Sequence, residues 1–195
     1  MPECLMFRCD PRIERVAGTS YWFDYADFYR AVAQRPWTTY VELGCWKGHS
    51  TAYLAQAIAS TGRIATVYAV DLFDDVLKTT DYPAGHPIRK LLESGVSMYD
   101  IFLYNIEKAG IKSMIQVIRK PSWKAARLFD EVDFVFVDAA HDEESVRKDI
   151  EAWLPKTRMI AGHDYGDQFP GVRAVVDDLL PERQVVGNVW AYEKV

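Results

Sequence analysis

The run Tyr40-Val41-Glu42-Leu43-Gly44-Cys45-Trp46-Lys47-Gly48-His49-Ser50-Thr51 restricts the fold more than any other part of the chain. Residues 40–43 are a short, mostly apolar run and read as a buried strand. A helix opens near Ser50 and continues to Ala59. Between them lies a tight turn in which Gly44 and Gly48 have access to backbone angles closed to other residues, with no Cβ to obstruct a ligand. Strand, glycine turn and helix N-terminus together form a nucleotide-sized site at the carboxyl edge of a parallel sheet. A second apolar run, 64–70, ends in Asp71 about twenty residues beyond the turn, where a carboxylate can accept both hydroxyl protons of a ribose.

The same alternation continues to the end of the chain. Apolar runs at 114–118, 132–137 and 158–161 read as strands. The nearly continuous apolar run Val132-Asp133-Phe134-Val135-Phe136-Val137 has the composition of a strand covered on both faces. Helices are expected over 88–108 with a break near Gly95, over 122–129 with Ser122 as its cap, over 143–153 and over 172–180. A leading helix over 21–33 carries Trp22, Phe23, Phe28, Tyr29 and Val32, an aromatic density that reads as core. Two short runs, 184–186 and 189–192, flank Gly187-Asn188 and form a hairpin. The expectation is an α/β fold: a Rossmann-like, mostly parallel sheet with helices on both faces and an antiparallel C-terminal hairpin strand. Residues 1–195 form a single domain, with a helical segment over 1–36 and a polar, proline- and glycine-punctuated stretch over 72–87 acting as a lid loop.

A net charge of −5 argues against nucleic acid or an anionic membrane as partner, which leaves small molecules. Three cysteines without metal-type spacing suit a reducing cytoplasm, and no run approaches membrane-spanning length. A homo-oligomer is left open by the sequence.

Two acidic loops carry the candidate chemistry. One is Asp138-Ala139-Ala140-His141-Asp142, directly after the run ending at Val137. The other is Gly162-His163-Asp164-Tyr165-Gly166-Asp167, directly after the next strand. Carboxyl ends of adjacent strands in an open parallel sheet face one crevice, so Asp138 and Asp164 should converge beside the glycine turn. Carboxylates that meet there repel unless a cation or proton intervenes. A hard divalent ion such as Mg²⁺ suits oxygen donors, and a histidine ligand at His163 would shift the balance toward Mn²⁺ and its neighbours. Singly, Asp164 and His163 also read as a turn cap and a hydrogen-bonded core residue.

The pattern E-x-G-x-x-x-G at Glu42, Gly44 and Gly48 lacks the third glycine of a dinucleotide fingerprint and resembles the first motif of class I S-adenosylmethionine-dependent methyltransferases. The runs D-F-V-F-V-D-A-A-H (133–141) and G-H-D-Y-G-x-x-F-P-G-V (162–172) are similar to the macrocin-type sugar O-methyltransferases and cephalosporin-hydroxylase-like proteins of that class. This resemblance covers 40–180. It implies S-adenosylmethionine held by Glu42, Gly44, Cys45, Trp46, Gly48, His49, Ser50, Asp71, Leu72 and Asp138. It implies a metal at Asp138, Asp164 and His163. Adenine contacts are implied at Ser122 and Trp123, although Arg119-Lys120-Pro121 stands where many relatives have an acidic residue. His141 lies three residues past Asp138, where catechol-type relatives carry a lysine base; an imidazole titrates near neutral pH and suits the role. A helix cap is the other reading of His141.

The function expected is S-adenosylmethionine-dependent O-methylation of a small hydroxylated molecule, with His141 as base, Asp138 beside the acceptor and a divalent metal assisting. A nucleotide-dependent oxidoreductase and a non-catalytic S-adenosylmethionine-binding protein are the alternatives.

Overall fold

Helix α1 (Ala26–Ala33) exists because Tyr29, Val32 and Ala33 recur on one face and bury together, while Asp27 and Arg30 stay outside. In the computed structural model, which describes residues 23–74 and 83–194, α1 is shorter than the 21–33 expected. Residues 1–22 of the N-terminal segment lie outside the described residues. Strand β1 (Thr39–Leu43), helix α2 (His49–Ala59) and strand β2 (Thr66–Val70) follow, close to the expected bounds. Of the stretch expected as a lid, residues 75–82 lie outside the described residues, and Pro87 already opens a helix.

The helical region after it divides at Gly95 into α3 (Pro87–Glu93) and α4 (Met98–Lys108), the glycine turning with φ +87°. Ser97 and Asp100 form a reciprocal capping box that restarts the chain as α4. Strand β3 (Ile115–Ile118) precedes α5 (Ser122–Ala125), which is far shorter than the helix expected over 122–129. Pro121 occupies its cap position and Ser122 is already helical, so the expected Ser122 cap is not made. A 3₁₀ turn continues over Ala126–Leu128. Then come β4 (Val132–Val137), α6 (Glu143–Trp153), β5 (Thr157–Gly162), α7 (Pro170–Leu179), β6 (Gln184–Val186) and β7 (Val189–Glu193).

The strands join in one seven-stranded sheet, ordered β3-β2-β1-β4-β5-β7-β6. The first five run parallel, and the hairpin lays β7 antiparallel on β5, with Gly162 opposite Trp190. Both faces are covered. Tyr40, Val67, Phe134 and Phe136 pack under α1, α2 and α4, while Val41, Leu43, Val135 and Ile160 pack under α6 and α7. Phe136 is fully buried, and truncating such a residue to alanine costs about 3–5 kcal/mol. Strand order reverses between β1 and β4, because the chain leaves β1 toward β2 and later returns to β4 on its other side. That reversal opens a crevice at the strands' carboxyl ends, where the candidate residues sit. Among the described residues no helix is long and apolar enough to cross a membrane.

Candidate active site

Gly44 and Gly48 both adopt left-handed backbone, at φ +84° and +78°. Their neighbours supply the reason for glycine. A Cβ on Gly44 would collide with the carbonyl oxygen of Asp138, and one on Gly48 would stand 2.7 Å from the Phe102 ring. The glycine character expected for the sake of a ligand is therefore demanded first by the protein's own packing. It presses the turn after β1 against the backbone of the loop after β4.

The acidic residue of the turn motif faces inward. Glu42 is fully buried, where Tyr29 donates to Oε1 at 2.8 Å and Thr51 donates to Oε2. Burial pushes its carboxyl up, opposed by hydrogen bonds from Thr51, Ser50 and Tyr29. Glu42 was expected to face the cofactor; instead it ties α1, β1 and α2 together beneath the turn. Cys45 is also buried. Lys47 is fully buried with its ammonium 4.2 Å from the Trp46 ring centre, and burial lowers its pKa to about 8.

Asp71 closes the turn from β2. Its Oδ2 accepts from the backbone N–H groups of Cys45 and Trp46, both at 2.9 Å, and Oδ1 accepts from Phe73 N at 2.8 Å. Trp46 and Phe73 hold φ of +44° and +50°, uncommon for side chains of that size. Leu72 beside them is exposed. The first turn of α2 has no side-chain cap, so its opening N–H groups offer a seat for an anion beside exposed His49 and half-buried Ser50. Ser122 is linked to Asp149 through its hydroxyl, and its carbonyl accepts from Trp153 Nε1 at 3.1 Å. Trp123 is half-buried between Lys124 and Lys148, whose ammonium groups lie 4.9 and 5.7 Å from its ring.

The two acidic loops meet. Asp138, His141 and Asp164 each present a ligand atom, all within 4.8 Å of one another. His141 Nε2 lies 2.7 Å from Asp164 Oδ2, with the Phe169 ring 4.4 Å away between centres. Helix α6 is capped by Asp142, which accepts from Ser145 N at 3.0 Å, so capping is not the task of His141. Asp164 sits at φ +61°, a strained position that aims its carboxylate at both histidines. Burial works to raise the Asp164 carboxyl, but hydrogen bonds from His141 and His163 hold it well below the usual range.

His163 lies deeper, 8% exposed. Its Nδ1 is 3.1 Å from Asp164 Oδ1 and 3.9 Å from Asp138 Oδ1, while Nε2 is 2.8 Å from Asp24 Oδ1. Burial acts to lower its pKa, yet the bond to Asp164 and the charges of Asp138, Asp164 and Asp24 hold it at about 9. Burial raises Asp138 to about 6 against the pull of His163. Tyr25 donates to Asp138 Oδ2 at 2.9 Å.

Asp24 and Tyr25 were missed in the sequence, as were Tyr29 and Thr51. The aromatic density around Phe23-Asp24-Tyr25 reads as core, and it is core. The available signal was the acid inside it, which a purely packing segment has no use for.

The family described as methyltransferase domain matches residues 41–165. No curated protein matches in sequence. Among solved structures, the O-methyltransferase NovP is 19% identical over 87% of this chain and 78% of its own, with a TM-score of 0.62. A Bacillus cereus O-methyltransferase in complex with S-adenosylhomocysteine is 17% identical, covering 100% and 92%, with a TM-score of 0.61. The O-methyltransferase TomG of Streptomyces achromogenes, involved in tomaymycin synthesis and bound to S-adenosylmethionine, is 14% identical, covering 100% and 91%, with a TM-score of 0.61. At these identities the likeness shows the fold.

Proposed function

The chain belongs to the methyltransferase-domain family, and from that premise we propose an S-adenosylmethionine-dependent O-methyltransferase acting on a small hydroxylated molecule with a divalent cation at Asp138 and Asp164. The observation that carries this reading is the contact between the Gly44 turn and the Asp138 backbone, which makes the turn and the carboxylate pair one site. Similarly folded proteins are O-methyltransferases, and two of those named were seen with S-adenosylmethionine or its product.

The residues present fit the cofactor. The uncapped first turn of α2 suits its carboxylate, and Asp71 keeps one of roughly four carboxylate acceptor positions beyond the three in use. They also fit a cation. Asp138, His141 and Asp164 present ligand atoms within 4.8 Å of one another, and His163 Nδ1, which donates to Asp164 Oδ1, would join them on giving up its hydrogen, a set that suits Mg²⁺ or, with a nitrogen, Mn²⁺. S-adenosylmethionine, when bound, supplies the electrophilic methyl group, and a divalent cation, when bound, supplies acidity to the acceptor hydroxyl.

The chain's own task is to orient that hydroxyl and remove its proton. His141 is half exposed at the mouth of the site. Ionised Asp164 can only accept, so His141 Nε2 carries a hydrogen and Nδ1 is left to take the proton. Asp164 thereby orients the base, as the third group of a catalytic triad does. A reducing, cytoplasmic setting is part of the same proposal, on the free thiol of buried Cys45.

Titration with S-adenosylhomocysteine and with NAD, followed by labelled methyl transfer to a panel of catechols and sugars, tests the reading. Binding of the former and labelled ether products support it. Binding of NAD instead would favour an oxidoreductase, and cofactor binding without transfer to any hydroxyl would favour a non-catalytic protein.

A further inference from the structure

Asp24 and Tyr25 arrive from the segment ahead of α1, far in sequence from both acidic loops, yet each touches one of them. Asp24 Oδ1 is 2.8 Å from His163 Nε2, and Asp24 Oδ2 accepts from Asn188 Nδ2 at 3.3 Å. Tyr25 is buried, donates to Asp138 Oδ2 and lays its ring against His163 with centres 4.8 Å apart. Carboxylates only accept, so His163 donates through Nε2 to Asp24 and through Nδ1 to Asp164; a cation between the loops would take the place of the Nδ1 hydrogen, while Nε2–H stays on Asp24. Likewise the Tyr25 hydroxyl occupies Asp138 Oδ2 and leaves Oδ1 facing His163 Nδ1.

We propose that Asp24 and Tyr25 are positioning residues for the divalent cation: Asp24 presents His163 as an Nδ1 ligand, and Tyr25 presents Asp138 through Oδ1. This rests on the cation reading above. A ligating histidine held by an outer carboxylate is fixed in tautomer and ring orientation and becomes a better donor, and loss of such a partner weakens metal binding by about 10–100-fold. Asp24 is largely exposed, so its retention against the buried ring is not explained by packing. The nitrogen so presented also sets preference, since imidazole favours Mn²⁺ over Mg²⁺.

The test is Mn²⁺ titration of the full chain by calorimetry, with pulsed electron paramagnetic resonance to detect nitrogen bound to the ion. Wild type, Asp24→Ala, Asp24→Asn, Tyr25→Phe and His141→Ala are compared, and S-adenosylhomocysteine affinity is measured on each. Expected results are about 10–100-fold weaker Mn²⁺ binding in Asp24→Ala and Tyr25→Phe, with S-adenosylhomocysteine affinity within about twofold of wild type in Asp24→Ala, whose bonds go to His163 and Asn188. Tyr25 also bonds Ser50 at the opening of α2, so the cofactor control is read on Asp24→Ala. The nitrogen signal should persist in His141→Ala, and the preference for Mn²⁺ over Mg²⁺ should shrink in Asp24→Ala. Wild type that binds Mn²⁺ with unchanged affinity in both variants overturns the positioning role alone. Parallel loss of both ligands in Asp24→Ala, also in the conservative Asp24→Asn, overturns it in favour of a structural role. Wild type that binds no Mn²⁺ overturns the cation reading and this inference with it.

Discussion

Asp71 shows how one carboxylate serves backbone and ligand together. It holds the N–H groups of Trp46 and Phe73, two bulky residues in left-handed conformations that a chain adopts only when surrounding bonds compel it. Replacing it with alanine removes a ribose acceptor and also lets the turn relax. Asp71→Ala should weaken S-adenosylhomocysteine binding by about 1.5–3 kcal/mol, the range for a hydrogen bond to a charged group. Unlike a purely ligand-facing change, it should also lower the melting temperature without ligand, and calorimetry beside a thermal melt separates the two effects. His141 stands on the opposite side of the same question. It contacts Asp164 and Phe169 near the surface, so its loss should leave fold and cofactor affinity close to wild type. Turnover of His141→Ala should fall by about 10²–10⁴-fold, the usual worth of acid–base catalysis. Single-turnover methyl transfer across neutral pH checks this, and an unchanged rate would place the base elsewhere.

At the scale of elements, α6 carries an acid with no role at the crevice. Asp149 is 1% exposed, its Oδ1 has no partner among the described residues, and it leans on Ser122 of α5. Burial raises its pKa to about 7, Ser122 opposes this, and Asp142 adds to it. The folded state thus keeps a proton that the unfolded chain loses near pH 4. Stability from this group is full below about pH 4, falls as pH rises toward 7, and is constant beyond, by up to roughly 4 kcal/mol. Asp149→Asn should flatten that slope, so the variant gains on wild type between pH 4 and pH 7 in denaturant melts. Parallel curves would show the acid to be ionised throughout.

The elements also mark where sequence reading succeeds. Strands β1, β2 and β4 were legible because most of their residues are buried on both faces, giving short, nearly apolar runs. The same double burial hid the direction of Glu42, since alternation carries no information when every neighbour is buried. The meeting of Asp138 with Asp164 followed from strand order alone. Asp24 and His163 are 139 residues apart and share no period, so only the folded chain joins them. Helix α5 was over-read because its apolar content continues through a 3₁₀ turn that has the same composition as a helix.

Across the whole molecule, the two halves of the sheet meet at β1 and β4, and Gly44 is the point of contact between their loops. Asp138 N donates to Leu43 O at 2.8 Å and Gly44 N to Val70 O at 2.9 Å, so the turn is bonded to a strand on either side. The cofactor half and the cation half are therefore joined through backbone, which relaxes less readily than side chains. A methyl group at position 44 meets both the left-handed penalty, about 1–2 kcal/mol, and the Asp138 carbonyl. Gly44→Ala should push the two loops apart and weaken S-adenosylhomocysteine and Mn²⁺ together. By contrast, Asp71→Ala should weaken only the former and Asp164→Asn only the latter, because each removes carboxylate oxygens from one half. Calorimetric titration of the three variants with both ligands gives the comparison. If Gly44→Ala binds one ligand as wild type does, the halves are independent, and the methyl donor and the acceptor's cation are not held in one frame.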